Sequence, residues 1–305
     1  MENENNVKES GKDSQKDQIK EILEKLEKGV TELFESERYR EYLSCMSKFH
    51  SYSLNNTLLI AMQKPDATFV TGFHAWHDKH GRTVKKGEKG IKIFAPVKYK
   101  IMVESDVPGE EPKEVEKTGF KVAYVWDISQ TEGKELPKIG VNELKGNVNE
   151  YGKLMRALRL NCPVPISFEV IEGSAKGYYN DSSKEIVLRS GMSQIQTIKT
   201  LIHEMAHKRL HSKDAVGKDC HVDQRTMEVE AESIAFTVCK RYGLDTDEYS
   251  FGYIAGWSSG KDAKELKTSL ERIRNTADEI ITAVDKSIEK QNLLEDAGKS
   301  RDKAR

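Results

Sequence analysis

Residues 203–207 read His-Glu-Met-Ala-His, a string whose chemistry needs one particular backbone. In an α-helix, side chains four positions apart stand one turn apart on the same face. His203 and His207 can then direct two imidazoles at a single Zn2+ ion, each at about 2.0–2.1 Å. Glu204 follows the first histidine, placed to reach a water activated by the ion rather than the ion itself, as a general base requires. The flanking residues predict a helix over Gln194–Leu210. Ile198, Leu201, Ile202, Met205 and Ala206 give it an apolar backing, and Ser193 with Gln196 offers capping-box chemistry at its start.

Such a site needs a third ligand. The extended pattern with Gly at 210 and His at 213 fails, because the chain has Leu210 and Lys213. His211 lies a further turn along the axis, too far to join the same ion easily, and reads as exposed. A second helix over Gln224–Tyr242, ended by Gly243, carries Glu228, Glu230 and Glu232. Glu228 and Glu232 share a face. Glu228 is expected to bind the metal and Glu232 to hold a histidine's second nitrogen, although the two roles can be exchanged. Glu230 projects elsewhere. Ala231, Ile234, Ala235 and Val238 bury part of this helix, which raises the cost of unpaired charge. Tyr253 is a candidate oxyanion donor, with core packing the plainer reading for it and for Trp257. The strand Glu185–Leu188 is expected to align an extended peptide by β-addition. Cys220-His221 and Cys239 read as structural or exposed rather than metal-binding.

The remainder of the 305 residues reads as two domains and polar ends. Residues 1–17 are too poor in apolar groups to order and read as a disordered, solvated tail. A helix starts at Ile19, and a second run covers Tyr39–Met62 until Pro65. Phe69–Phe73, Ile91–Ala95 and Phe120–Trp126 read as strands, and residues 104–118, with six acidic and two basic residues, as an exposed loop. These make a first domain over 18–130. Residues 131–148 read as a linker. The second domain, 149–260, contains a helix at Asn149–Leu160 and strands Ile166–Val170 and Glu185–Leu188, with a turn at Asn180–Ser182 between them. A helix and polar tail close the chain at 261–305. Leu266, Leu270, Ile273, Ala277, Ile280, Val284 and Ile288 form a stripe that can pack on the body or on a partner. No run of about 18 apolar residues exists, which excludes a transmembrane helix. Four cysteines without CxxC spacing, and an N-terminus without a signal sequence, point to a cytoplasmic protein.

Lys and Arg total 49 against 50 Asp and Glu, so the whole chain has a net charge of −1. That near-neutrality conceals two separated fields. Residues 71–100 hold eight basic and two acidic residues, a net +6, and residues 219–250 hold eight acidic and three basic ones, a net −5. In the first stretch Phe73, His74, Trp76, His77, Phe94 and Tyr99 interleave with the cations. Cations for a phosphate backbone and flat rings for base stacking are what single-stranded nucleic acid needs. Trp76, Arg82, Lys85, Lys86, Lys89 and Lys92 are the candidate DNA contacts. Asn55, Asn56 and Gln63 on the preceding helix are candidates for the same surface. A protein-docking face is the alternative reading.

The two halves together resemble the ArdC-like antirestriction family. The first half does so in Ser53-Leu54-Asn55-Asn56, Gly72-Phe73-His74-Ala75-Trp76, Val84–Gly90 and Ile93-Phe94-Ala95-Pro96. The second does so in His203–His207, Ala231-Glu232 with Ala235, and Tyr253–Trp257. The segment Glu228–Ala235 is also similar to ImmA/IrrE metallopeptidases, with Glu232 where those carry Asn, which leaves the choice among Glu228, Glu230 and Glu232 open. The resemblance covers about residues 20–260. It implies an α+β protein: a small helix-plus-sheet domain that binds single-stranded DNA, then a gluzincin-like zincin domain and a long C-terminal helix. It also implies a mobile-element protein that protects transferred DNA from restriction, with a protein or peptide substrate. A non-catalytic DNA-binding shield with a structural or vestigial zinc site is the alternative. Nothing in the sequence sets the oligomeric state.

Overall fold

The structure is a computed structural model that describes the backbone of residues 2–34, 36–103, 112–136, 148–216, 222–244, 251–252 and 254–302. In chain order the elements are α1 (Glu2–Leu33), α2 (Ser36–Lys48), α3 (Leu54–Gln63), β1 (Val70–Gly72), α4 (Phe73–His80), β2 (Arg82–Val84), β3 (Ile91–Val103) and β4 (Lys113–Asp127). A 3-10 turn (Ile128–Gln130) leads to β5 (Thr131–Gly133). Then come α5 (Val148–Asn161), β6 (Ile166–Glu169), β7 (Gly177–Asn180), β8 (Glu185–Arg189), α6 (Gln194–Leu210), α7 (Lys213–Val216), α8 (Gln224–Arg241), α9 (Ile254–Ser258) and α10 (Ala263–Asp302). The fold is α+β. No helix among the described residues is long and apolar enough to cross a membrane.

The chain forms two compact units that interleave in sequence. The first comprises residues 1–29 and 55–135, the second residues 30–54 and 136–305. Residues 30–54 therefore group with the second half rather than with the 18–130 segment that the sequence outlines.

In the first unit, β1, β4 and β3 form an antiparallel sheet in that order, and β2 pairs with β5. Ile22 and Leu26 of α1, Leu58 and Ile60 of α3, and Ile91, Ile93 and Val125 of the sheet are buried. Strand β3 is an edge, and α3 covers it with side-chain amides. Asn56 donates to the carbonyl of Phe94 (2.9 Å) and accepts from its N–H (2.8 Å), while Gln63 does the same at Lys92 (2.9 Å each). Both amides thus act as an added strand. Pro96, two residues further along this edge, has no N–H to satisfy.

Asp127 ties the other end of the sheet together. Its carboxylate accepts from the N–H groups of Thr68 (2.7 Å), Phe69 (3.0 Å) and Ser129 (2.9 Å). Burial opposes its ionisation, but the Ser129 hydroxyl and the three backbone donors outweigh that and hold its pKa below the ordinary carboxylate value.

The second unit places the sheet β6-β8-β7 beside a helical core. Strand β8 is central, parallel to β6 and antiparallel to β7, and its Ile186, Val187 and Leu188 are buried. The α10 stripe packs within this unit against α8 and α5, with Leu266, Leu270, Ile273, Ala277, Ile280 and Val284 buried. Helix α2 also packs on α8, where the Tyr39 hydroxyl meets Ser233 Oγ at 2.7 Å.

Several elements differ from the sequence reading. Helix α1 begins at Glu2, not after residue 17; its polar turns extend a helix already anchored by Ile22 and Leu26, and extension needs no new nucleus. The run Tyr39–Met62 is two helices, broken at residues 49–53, where Ser51 and Ser53 favour turns. Phe73–His80 is a helix between Gly72 and Gly81, the latter left-handed at φ 61°. Residues 113–118 belong to β4, not to a loop: Lys98–Glu116 (2.7 Å) and Lys100–Glu114 (2.9 Å) pair across the strands. Residues 131–133 of the expected linker form β5, and Gly177–Asn180 form β7. The Ser193 cap forms on α6, but the Gln196 side chain turns to Thr200 Oγ1 (3.0 Å) instead of closing a capping box.

Asp127→Ala is expected to lower stability in urea unfolding by about 1–3 kcal/mol at neutral pH. A depressed carboxyl pKa contributes stability above the unfolded pKa and loses it as pH falls through the folded value. The gap between wild type and variant should therefore narrow below about pH 4.

Candidate metal centre and nucleic-acid interface

Packing of α6 on α8 brings four functional side chains into one cleft of about 500 Å3. The apolar faces that meet are Ile198, Leu201, Ile202, Met205 and Ala206 from α6 and Val229, Ala231, Ile234 and Ala235 from α8, all buried. His203, His207 and Glu228 then converge. His203 Nε2 is 3.0 Å from His207 Nε2 and 3.4 Å from a Glu228 oxygen, and His207 Nε2 is 3.6 Å from the other Glu228 oxygen. All three donors lie within 4.8 Å of one another. Ligands at about 2.0–2.1 Å from a tetrahedral ion stand roughly 3.3 Å apart. The three separations bracket that value, so these residues fit a divalent metal with two imidazoles and one carboxylate. Two imidazole nitrogens 3.0 Å apart also need a proton or a cation between them.

Charge surrounds the site accordingly. Burial disfavours the His203 imidazolium, but the carboxylates of Glu228 and Glu232 overcome it and push the pKa up to about 9. The same hydrogen bonds to His203 and His207 hold Glu228 well below the usual carboxylate range. Glu232 lies behind His203, its oxygen 3.3 Å from Nδ1, with Lys199 at 3.9 Å from its other oxygen. That is the placement expected for a residue that holds the ligand's second nitrogen.

Glu204 is buried at the cleft, and burial raises its pKa against the pull of the two histidines. The backbone N–H of Tyr179, in β7, donates to it. Strand β7 is the sheet edge that borders the cleft, through Gly177, Tyr178 and Tyr179. The central strand β8 is saturated on both sides and cannot add a peptide, so β7 takes the place that the sequence reading gave to Glu185–Leu188. Trp257 is buried and donates to Thr226 Oγ1 (2.9 Å). Tyr253 and Cys220-His221 lie outside the described residues.

His211 departs from expectation, and Glu230, which projects away from the ligand face, is its partner. Neither is a solvated group: the His211 side chain is 4% exposed and Glu230 is 0% exposed, with 3.0 Å between His211 Nε2 and a Glu230 oxygen. The spacing 203, 207, 211 advertised His211 on this face. Arg272 of α10, which pairs with Glu230, left no sequence signal.

In the first unit the basic turn is held from below. Gln130 donates to Glu88 and to the carbonyl of Lys89 (2.9 Å), and Lys85 N–H donates to the carbonyl of Gln130 (3.0 Å). Lys86, Lys89 and Lys92 are exposed, as is Lys85, whose ammonium donates to the Ser129 carbonyl. Four candidate contacts have structural work instead. Trp76 is fully buried and donates to the Trp126 carbonyl (2.9 Å), so its ring offers no face to a base. The Arg82 guanidinium is taken up by Thr131, Gly133 and Lys134, and Asn56 and Gln63 by the β3 edge. Asn55 is half-buried. The exposed rings are Phe73 (49%), Tyr99 (48%), Tyr124 (47%) and Phe120 (61%). Phe120, Tyr124 and Trp126 share one face of β4 by strand alternation. Lys92 sits opposite Tyr124, and Phe73 packs edge-on against Trp126 at 5.6 Å.

Zinc affinity, measured by chelator competition, should rank the α8 glutamates. Glu228→Ala should abolish stoichiometric binding, Glu232→Ala should weaken it about 10–100-fold, and Glu204→Gln should leave it near wild type.

The N-terminal domain of anti-restriction factor ArdC matches residues 12–126, and the IrrE N-terminal-like domain matches residues 164–241. The uncharacterized protein pXO2-81 of Bacillus anthracis is 32% identical over 91% of this chain and 53% of its own length. The chain thus spans about half the length of that relative. Two crystal structures of the antirestriction protein ArdC from plasmid R388 align over 78% of this chain. The metal-free one is 22% identical, covered over 84%, with a TM-score of 0.46; the Mn(II)-bound one is 18% identical, covered over 85%, with a TM-score of 0.45. The chain thus joins a segment that matches the ArdC N-terminal domain to one that matches the IrrE N-terminal-like domain.

Proposed function

We propose that this chain is a single-stranded-DNA-binding zinc metallopeptidase with an antirestriction role, acting on a protein or peptide near the DNA it covers. The observation that carries the enzymatic half is Glu204: a buried carboxylate beside two imidazoles and Glu228, fixed by the Tyr179 N–H. A purely structural metal site needs no such base.

Two imidazoles and a carboxylate suit Zn2+, which supplies acidity by lowering the pKa of a water in its shell to about 7. His203, His207 and Glu228 would hold the ion, and Glu204 would be the group that takes a proton from water and passes it to the leaving amine. Burial at the cleft raises its pKa, which favours the protonated form that the second transfer needs. Apart from the Tyr179 N–H that Glu204 takes, the outer edge of β7 offers main-chain groups to an extended peptide, and Tyr178 lines the approach. The DNA half rests on the exposed Lys86, Lys89 and Lys92 beside the rings of Tyr124, Phe120 and Phe73. Cations there track the backbone, and the rings stack on bases without regard to sequence. The match to an anti-restriction N-terminal domain supports the biological role.

Glu204→Gln should lose hydrolysis of a peptide library while keeping zinc; cleavage at the wild-type rate would leave a DNA-binding shield with an idle metal site. On oligonucleotides, Tyr124→Ala should cost about 1–3 kcal/mol of affinity. Lys86→Ala with Lys89→Ala should lower the salt slope by about 0.7 for each cation. Binding indifferent to salt would make the basic face a protein-docking surface.

A further inference from the structure

Behind His207 stands a buried chain of groups that the metal-site reading does not use. His207 Nδ1 is 3.0 Å from His211 Nδ1. His211 Nε2 is 3.0 Å from one oxygen of Glu230. The other oxygen of Glu230 accepts from Arg272 Nε at 2.9 Å and lies 2.7 Å from Arg272 Nη2. His211 is the C-cap residue of α6, at φ −120° and ψ −3°. Its ring packs 5.2 Å from that of His207.

Where His207 Nε2 is a metal ligand, the donor and acceptor inventory of these groups selects one arrangement. Arg272 neutralises Glu230, so the carboxylate is charged and can only accept. His211 must then donate to it from Nε2. A neutral imidazole protonated on Nε2 has a bare Nδ1. That nitrogen faces His207 Nδ1, so His207 must be the donor, with its own proton on Nδ1. The lone pair of His207 is thereby left on Nε2, which points at His203 Nε2 and Glu228. With His207 Nε2 kept for the metal, His207 Nδ1 carries the proton and His211 Nδ1, 3.0 Å away, accepts it. His203 reaches the same state by a shorter route, with Nδ1 directly against Glu232.

We propose that Arg272, Glu230 and His211 form a positioning relay that fixes the tautomer and ring orientation of His207 for metal binding. The inference rests on the reading of His203, His207 and Glu228 as ligands. It gives the three α8 glutamates three separate tasks: Glu228 meets the metal, Glu232 holds His203 directly, and Glu230 holds His207 through His211.

The test uses two measurements on the full chain. Histidine 15N NMR of the metal-free protein, above the ordinary imidazole range, should show His211 protonated on Nε2 and His207 on Nδ1. Zinc competition should then compare two His211 variants. His211→Leu leaves the His207 N–H without an acceptor and should raise the zinc Kd about 10–100-fold. His211→Gln offers an amide oxygen to His207 and an amide N–H to Glu230, and should restore affinity toward wild type. The relay is overturned if His211 carries its proton on Nδ1, if the Leu variant binds zinc like wild type, or if the Gln variant is as weak as the Leu variant. Failure of wild type to take up zinc would instead sink the metal-site reading, and the tautomers, read without metal, would still decide the relay.

Discussion

The contact between α6 and α8 governs the second unit. Alanines at 206, 231 and 235 keep the two helices close, and Leu201, Ile202, Met205 and Ile234 fill the space around them. Close approach is what puts Glu228 within 3.6 Å of both imidazoles and Glu232 behind His203. The remaining helices stiffen this pair: α10 lies along α8 and supplies Arg272, while α2 adds Tyr39 at Ser233. A catalytic constellation needs this kind of support, since a ligand set loose by an ångström binds metal poorly.

The first unit solves a different problem with similar economy. A long two-stranded arm needs protected edges and a rigid base. Asn56, Gln63 and Pro96 quiet the β3 edge, and Asp127 and Gln130 clamp the base. With these polar groups internally satisfied, the exposed cations at 86, 89 and 92 and the rings at 73, 120 and 124 are free to meet a partner. The arrangement explains how a chain of near-zero net charge can still present a local basic surface.

Much of the second unit was legible in the sequence because its chemistry is periodic. The i,i+4 histidines, the glutamates at 228 and 232, and the apolar backing of both helices all read directly from helical spacing, and the structure draws them together. His211 was misread, and the surroundings of Glu230 stayed hidden, because spacing along one helix says nothing of a third helix arriving with Arg272. In the first unit, composition identified a basic and aromatic segment but not the orientation of each side chain. Trp76 and Arg82 have the right chemistry for DNA, yet α4 turns the one into the core and β5 occupies the other. Tyr124 and Phe120 looked like ordinary strand residues, because alternation alone does not say which face of a sheet is covered. Strand β7 was hidden for a related reason: Gly177–Asn180 is short and runs into the turn read at Asn180–Ser182, and its pairing with β8 is a tertiary fact.

The central claim is that His203, His207 and Glu228 form one zinc site. Zinc K-edge X-ray absorption on the full chain loaded with one equivalent of Zn2+ tests it most directly. The account predicts a first shell of nitrogen and oxygen only, at about 2.0–2.1 Å, with the outer-shell pattern of two imidazoles. A sulfur shell at about 2.3 Å, or fewer than two imidazoles, would contradict it.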